Sequence, residues 1–239
     1  MEVQRQRKPR RRCAALSGER LGPGGIAVCL LLVFAPPTMI SAQSTGGALR
    51  IPVLMNADLE GWREWTFSGA TEYTPVVSQG RPAIKAVSDA AASGVYRGIR
   101  IDLGKTPILH WNWRVENTLG AIDETRKEGD DYPARIYVMV AHPLFFWKTY
   151  ALTYVWSSAR PAGSAWPNAY SDGARVIAVR SGDAGLGEWH GERRDVREDF
   201  KRYFGKDVRY TTAVAVMTDT DDTGEQAVAY YGDIWFSTR

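Results

Sequence analysis

The chain has 239 residues, 44% hydrophobic and 24% charged, which is enough apolar material for one packed domain and too much for a disordered one. Its formal net charge is +3, yet 7 of the 30 Lys and Arg, and only 2 of the 27 Asp and Glu, lie in residues 1–42. The remaining 197 residues carry 23 basic against 25 acidic groups, a net of −2, so nothing in the charge balance points to nucleic acid.

Residues 1–42 read as a secretory signal peptide. Arg5, Arg7, Lys8 and Arg10–Arg12 form a basic start, and Ile26–Ala35 is an apolar run too short to span a bilayer. Ser41-Ala42 then offers a cleavage site. Both cysteines, Cys13 and Cys29, leave with this leader. The mature segment, residues 43–239, is expected in the periplasm or outside the cell, as one domain without disulfides or membrane contact.

Gln43–Gly47 reads as a loose lead-in. Strands are expected at Leu49–Met55, Thr71–Val77, Pro82–Val87, Val95–Leu103 and Ile108–Val115. Further strands are expected at Arg135–Val140, Tyr150–Trp156, Arg175–Val179, Thr211–Thr218 and Ala227–Phe236. Gly, Pro, Asn and Asp clusters at Asn56–Gly61, Ser88–Gly94, Gly129–Pro133, Pro161–Gly173 and Asp219–Gly224 separate them. One helix is expected after Asp195, with Glu198 completing a capping pattern. Val196, Phe200, Tyr203 and Phe204 share its apolar face and Gly205 ends it. The sum is all-β: an antiparallel two-sheet jelly-roll sandwich with one short helix. Parity puts Leu109, Trp111, Trp113 and Val115 on one face of their strand and His110, Asn112 and Arg114 on the other. In Tyr150–Trp156, the small set Ala151, Thr153 and Val155 is expected inward, leaving Tyr154 and Trp156 toward a groove.

Gly129–Val138 (GDDYPARIYV), Tyr154-Val155-Trp156, Met217–Gly224 and Ala229–Phe236, in that order and spacing, resemble the bacterial domain of unknown function 3047 family. The resemblance implies an exported single-domain protein and no particular activity. Asn56–Trp62 (NADLEGW) with Tyr231–Phe236 (YGDIWF) resembles the paired terminal strands of galactose-binding-like jelly rolls. That likeness implies a structural calcium, with Asp58, Glu60 and Asp233 as its ligands; no other cofactor is required.

Three acidic features carry the chemistry. Asp219 and Asp221 alternate before Gly224, a spacing that suits either calcium or, more plainly, a turn whose side chains bond the local backbone. Asp130 and Asp131 precede Arg135, and an arginine inside a strand needs a carboxylate. That pattern fits a structural ion-pair network. It also fits a cleft in which Arg114 and Arg135 grip an acidic group while Tyr137, Tyr154 and Trp156 stack on a ring. For glycosidic chemistry, Asp130, Asp131, Glu188 and Asp219 are available, but nothing sets their separation. His110, His142 and His190 have no zinc spacing and no assigned role. Phe145-Phe146-Trp147 and Trp166 lie beside Pro-containing loops as anchors or platforms.

These features favour a monomeric or weakly oligomeric saccharide-binding module. A hydrolase or lyase of glycans and a structural envelope protein without small ligand are the alternatives.

Overall fold

The computed structural model describes residues 43–45, 48–120, 122–141 and 149–239. The leader, His142 and Phe145-Phe146-Trp147 lie outside the described residues. In chain order the strands are β1 (Gln43–Thr45), β2 (Ala48–Leu54), β3 (Arg63–Ser68), β4 (Glu72–Ser78), β5 (Arg81–Asp89), β6 (Ala92–Gly98) and β7 (Ile108–Val115). There follow β8 (Tyr132–Val140), β9 (Tyr150–Ser157), β10 (Ala165–Asn168), β11 (Ser171–Ser181) and β12 (His190–Asp195). Helix α1 (Val196–Phe204) precedes β13 (Ala213–Asp219) and β14 (Gln226–Ser237).

These strands form two seven-stranded sheets. In the first, β14 is the spine. Its first half pairs with β5 and its second half with β2 on one side, while β7 runs along the other. The register slips between Tyr231 and Ile234, so a bulge lets both residues point inward. The second sheet runs β10-β11-β9-β8-β13-β6-β3. It departs from the expected antiparallel pattern at one place: β11 lies parallel to β9. β10 sits between them in sequence and runs back antiparallel to β11, which restores the direction of β9.

The core lies between the sheets. Leu109, Trp111, Trp113 and Val115 of β7 are fully buried, as their parity predicts. They meet Leu152, Tyr154 and Trp156 of β9, with Trp111 stacked 5.4 Å from Tyr154 and Trp113 tilted 6.1 Å from Trp156. The expected parity of β9 is therefore reversed. The large residues fill the inter-sheet space, which small residues would leave void, and Tyr154 and Trp156 are not groove residues. Tyr154 donates to Asp199 at 2.8 Å and Trp156 Nε1 to the Gly182 carbonyl at 3.0 Å, which satisfies their polar atoms.

Helix α1 closes one side of the core, burying Val196 and Phe200. Asp195 accepts from the Glu198 N–H at 3.1 Å, and Gly205 ends the helix at φ 65°. Four strands escaped the sequence pattern. β1 lies in Gln43–Gly47, expected as a loose lead-in, and pairs antiparallel with β2. β3 lies where no strand is expected. β12 is polar in sequence because its inward residues bond rather than pack: Glu192 with Arg180, and Arg194 with Asp199. β10 falls inside the expected Pro161–Gly173 loop. Among the described residues, no helix is long and apolar enough to cross a membrane.

Replacing Trp156 by Ala is expected to destabilise the domain by about 3–5 kcal/mol, the range for a large buried aromatic. Urea denaturation reads this directly; a loss below about 1 kcal/mol would be inconsistent with the core placement.

Candidate functional site

The outer face of the second sheet carries the chemistry, and its rows follow from the register. Ala215 lies between Tyr96 and Tyr137, and Met217 between Gly94 and Arg135. Asp219 ends the same strand. Two different environments result: a sealed ionic cluster at one end of β13 and an aromatic patch further along.

Arg135 is 2% exposed, Asp130 5%, Asp219 3% and Asp131 0%. The Arg135 guanidinium donates from Nε to Asp219 Oδ1 at 2.7 Å and from Nη1 to the Tyr137 hydroxyl at 3.2 Å. Its Nη2 meets Asp219 Oδ2 and the Asp130 carbonyl, and Asp130 Oδ2 lies 3.6 Å from Nη1. Tyr132 stacks under it, 4.4 Å from ring centroid to guanidinium carbon. The guanidinium is thus spent within the protein and cannot grip a ligand. Of the two expectations for Gly129–Arg135, the structure has the ion-pair network. Burial opposes the Arg135 charge, but Tyr137 and the surrounding carboxylates hold its pKa above the ordinary value. Burial raises Asp130 despite Arg135; its Oδ2 takes the Asn168 amide at 2.7 Å while Oδ1 has no hydrogen-bond partner among the described residues.

Glu124, unmarked by any motif, fastens the loop that carries Asp130 and Asp131. Its buried carboxylate accepts from the Ser157 hydroxyl at 2.5 Å and the Ser158 N–H at 2.6 Å. Its carbonyl accepts from Tyr132 and from Trp166 Nε1 at 2.9 Å. Trp166 is accordingly a buried anchor on this outer face, packed with Tyr132 and Val155.

Beside the network, Asp131, Asp221 and Asp222 bring one carboxylate oxygen each within 4.8 Å of one another. Asp131 accepts from the Thr223 N–H at 2.6 Å and so holds the 219–224 turn, as the plainer reading of that loop expects. Tyr170 donates to Asp222 at 2.8 Å. Burial, and then the charges of Asp131, Asp221 and Asp130, push Asp222 up to about 6 against the Tyr170 hydrogen bond. This is the one group of three acidic side chains among the described residues that could hold a metal ion. Asp58, Glu60 and Asp233 do not form such a group. Asp58 Oδ1 caps the Glu60 N–H at 2.9 Å, and Asp233 Oδ1 accepts from the Asn56 N–H at 2.9 Å, so the seam is closed by backbone donors.

The aromatic patch is built on small residues. Ala213 and Ala215 are buried in the sheet with Met139, and Trp65, Tyr96, Tyr137 and Ala151 pack over them. Trp65 pairs with Gly94, where a Cβ would come within 2.7 Å of the Val216 carbonyl oxygen. Its ring lies 4.6 Å from Phe67, 6.5 Å from Tyr96 and 6.0 Å from Tyr137. Phe67 is 44% exposed. The patch runs toward the acidic group: β3 ends at Ser68, which lies beside Asp221 and partly offsets the burial that raises its pKa.

Of the residues expected to form one cleft, Asp130, Asp131, Arg135, Tyr137, Asp219 and Asp221 do come together. Arg114 does not. It lies on the outer face of the other sheet, stacked 4.1 Å from the Tyr230 centroid and paired with Glu116. Trp65, Phe67, Tyr96, Asp222 and Tyr170 were not among them. The alternation in Arg63–Ser68 (REWTFS) was the signal for the first two.

An all-β sandwich with an exposed aromatic patch beside carboxylates is the class that fold and site define. The chain belongs to the family described as protein of unknown function (DUF3047), matched over residues 60–235. No curated protein matches it. Among solved structures it is similar to the family 30 carbohydrate-binding module of the cellulosomal cellulase Cel9D-Cel44B of Clostridium thermocellum. That match has 10% identity and a TM-score of 0.44, and covers 80% of this chain and 98% of the module. It is also similar to the xyloglucanase domain of NopAA, a type three effector from Sinorhizobium fredii, in complex with cellobiose. There the identity is 8% and the TM-score 0.41, over 86% of this chain and 100% of that domain.

Arg135→Met is expected to destabilise the protein by about 3–5 kcal/mol at neutral pH, because Asp130 and Asp219 are left buried and unpaired. The deficit should shrink in acid, where those carboxyls are protonated; a pH-independent deficit in denaturant titrations would contradict the pairing. Asp222 gives an opposite and separable signal. Its folded pKa of about 6 exceeds the unfolded value of about 4, so the folded state holds the extra proton between them and stability falls as pH rises through that window. Melting curves of Asp222→Asn should therefore gain on the wild type from pH 4 to 6, by an amount reduced by the partial exposure of Asp222. A constant gap across that range would count against the raised pKa.

Proposed function

We propose that this protein is an exported saccharide-binding β-sandwich that stacks sugar rings on Trp65 and Phe67. Tyr96 and Tyr137 flank the rings, and Asp221 and Asp222 accept hydrogen bonds from sugar hydroxyls. The observation that carries the reading is the partly exposed aromatic patch lying on a floor of Gly94, Ala213 and Ala215. A sugar ring has an apolar C–H face and a polar rim. It needs a flat aromatic surface with acceptors at its edge, and the patch with its adjoining carboxylates offers both. The sealed Arg135 network supports the reading as scaffold: it orders the turn that carries Asp221 and Asp222, and it takes no part in contact with the ligand. The basic start and apolar run of residues 1–42 support export to a compartment where polysaccharides of the envelope or surroundings are met. Calcium, as a structural ion, fits the Asp131–Asp221–Asp222 group better than the strand seam.

Calorimetric titration against a panel of neutral oligosaccharides tests the function. Binding should appear for at least one and fall roughly tenfold or more in Trp65→Ala, the loss typical of an aromatic anchor. The variant should keep the wild-type melting temperature to within a few degrees, because Trp65 is partly exposed on the outer face of edge strand β3. Unchanged affinity in Trp65→Ala, or no binding across the panel, would refute the proposal.

A further inference from the structure

The outer face of the first sheet, on the opposite side of the sandwich, carries two arginines, Arg50 and Arg193, that no carboxylate among the described residues pairs. Arg193 of β12 pairs in register with His110 of β7, His110 with Trp235 of β14, and Trp235 with Pro52 of β2. Arg50 lies two residues along β2 from Pro52 and so on the same face, since Ile51 between them packs on the core. The His110 and Trp235 rings are stacked, 5.0 Å apart and 2° from parallel. The Arg50 guanidinium lies 4.9 Å from the same indole centroid. His110 Nε2 is 2.9 Å from Ser237 Oγ. The indole thus holds an imidazole and a guanidinium in place.

What surrounds this row is as informative as the row itself. Arg50 and Arg193 are exposed, and neither has an ion pair with a carboxylate among the described residues. The two acids that flank the row are committed elsewhere: Asp195, two residues from Arg193, lies 2.9 Å from Arg239, and Asp233, two residues from Trp235, accepts from the Asn56 backbone. Burial, then the charges of Arg193 and Arg50, lower the His110 pKa from its ordinary value. The imidazole is therefore held neutral between two cations, a state that an anion would relieve.

We propose that Arg50, His110 and Arg193, ordered by Trp235, form an oxyanion site for the carboxylate or phosphate group of a ligand. The planar donor fork of arginine matches both groups, and stacking on the indole reduces the freedom Arg50 loses on binding. His110 adds a third donor once the anion favours its protonation. The site is separate from the aromatic patch and stands whether or not that patch binds sugar.

The test is an NMR pH titration of the His110 ring in the purified protein, alone and with inorganic phosphate, glucuronate or glucose 6-phosphate, at ionic strength matched with chloride. The His110 pKa should rise with at least one of these ligands, and which one responds separates a phosphate source from a sugar carboxylate. Arg50→Ala and Arg193→Ala should each weaken that binding about tenfold and raise the His110 pKa of the free protein. Both arginines are exposed, so the variants should fold. An unmoved His110 with all three ligands, an equal shift with chloride alone, or a double variant that binds as tightly as the wild type would overturn the site.

Discussion

The buried guanidinium of Arg135 is the interaction on which the rest of this structure depends. It sits on a central strand of the second sheet, and it makes sense only with Asp219 at the end of β13 and Asp130 in the preceding loop closed around it. A lone buried cation costs several kcal/mol, so folding must bring these distant segments together or not bury the arginine at all. Asp131, next in sequence to Asp130, then reaches the Thr223 N–H and shapes the turn after β13. Glu124 clamps the other end of the same loop to the Ser157 hydroxyl and the Ser158 N–H. The half-buried carboxylates of Asp221 and Asp222 are where they are because this network lies beneath them.

The two outer faces of the sandwich carry opposite chemistry. The second sheet presents aromatics on a small-residue floor beside carboxylates. The first presents guanidiniums and an imidazole around Trp235. Each face arises from the same rule: alternate residues of a strand point away from the core, so one strand can feed the packed interior and an outer surface at once. β7 shows it plainly, with Trp111 and Trp113 filling the core while His110 and Arg114 look outward. A strict division of this kind lets the outer residues vary without disturbing the packing between the sheets.

Some of this was legible in the residues. The β-sandwich class, the helix with its Asp195 cap and Gly205 stop, and the inward face of β7 follow from local patterns, because capping and alternation act within a few residues. The need of Arg135 for carboxylates was legible too, since it is a matter of charge and burial. The parity of β9 was not. Ala151, Thr153 and Val155 look like a neat inner set, and only the gap opposite Trp111 and Trp113 explains why Tyr154 and Trp156 fill it instead. β12 was hidden because its polar residues are satisfied by partners such as Arg180 for Glu192, and β3 because it is a short, mostly exposed edge strand.

The sequence by itself therefore determined the fold class and the need of Arg135 for the neighbouring acids Asp130 and Asp131, which rest on residue type and near-neighbour spacing, and its ordered motifs carried the resemblance to the family. The tertiary structure decided which side chains are sealed and which are offered to a ligand. It placed Arg114 and Arg135 on the outer faces of different sheets, closed Arg135 behind its own carboxylates, and opened Trp65 and Phe67 on an edge strand. The physical reason is that exposure is a property of the strand on either side and the loop above. Those neighbours are set by strand pairing between segments as far apart as β3 and β6 or β8 and β13.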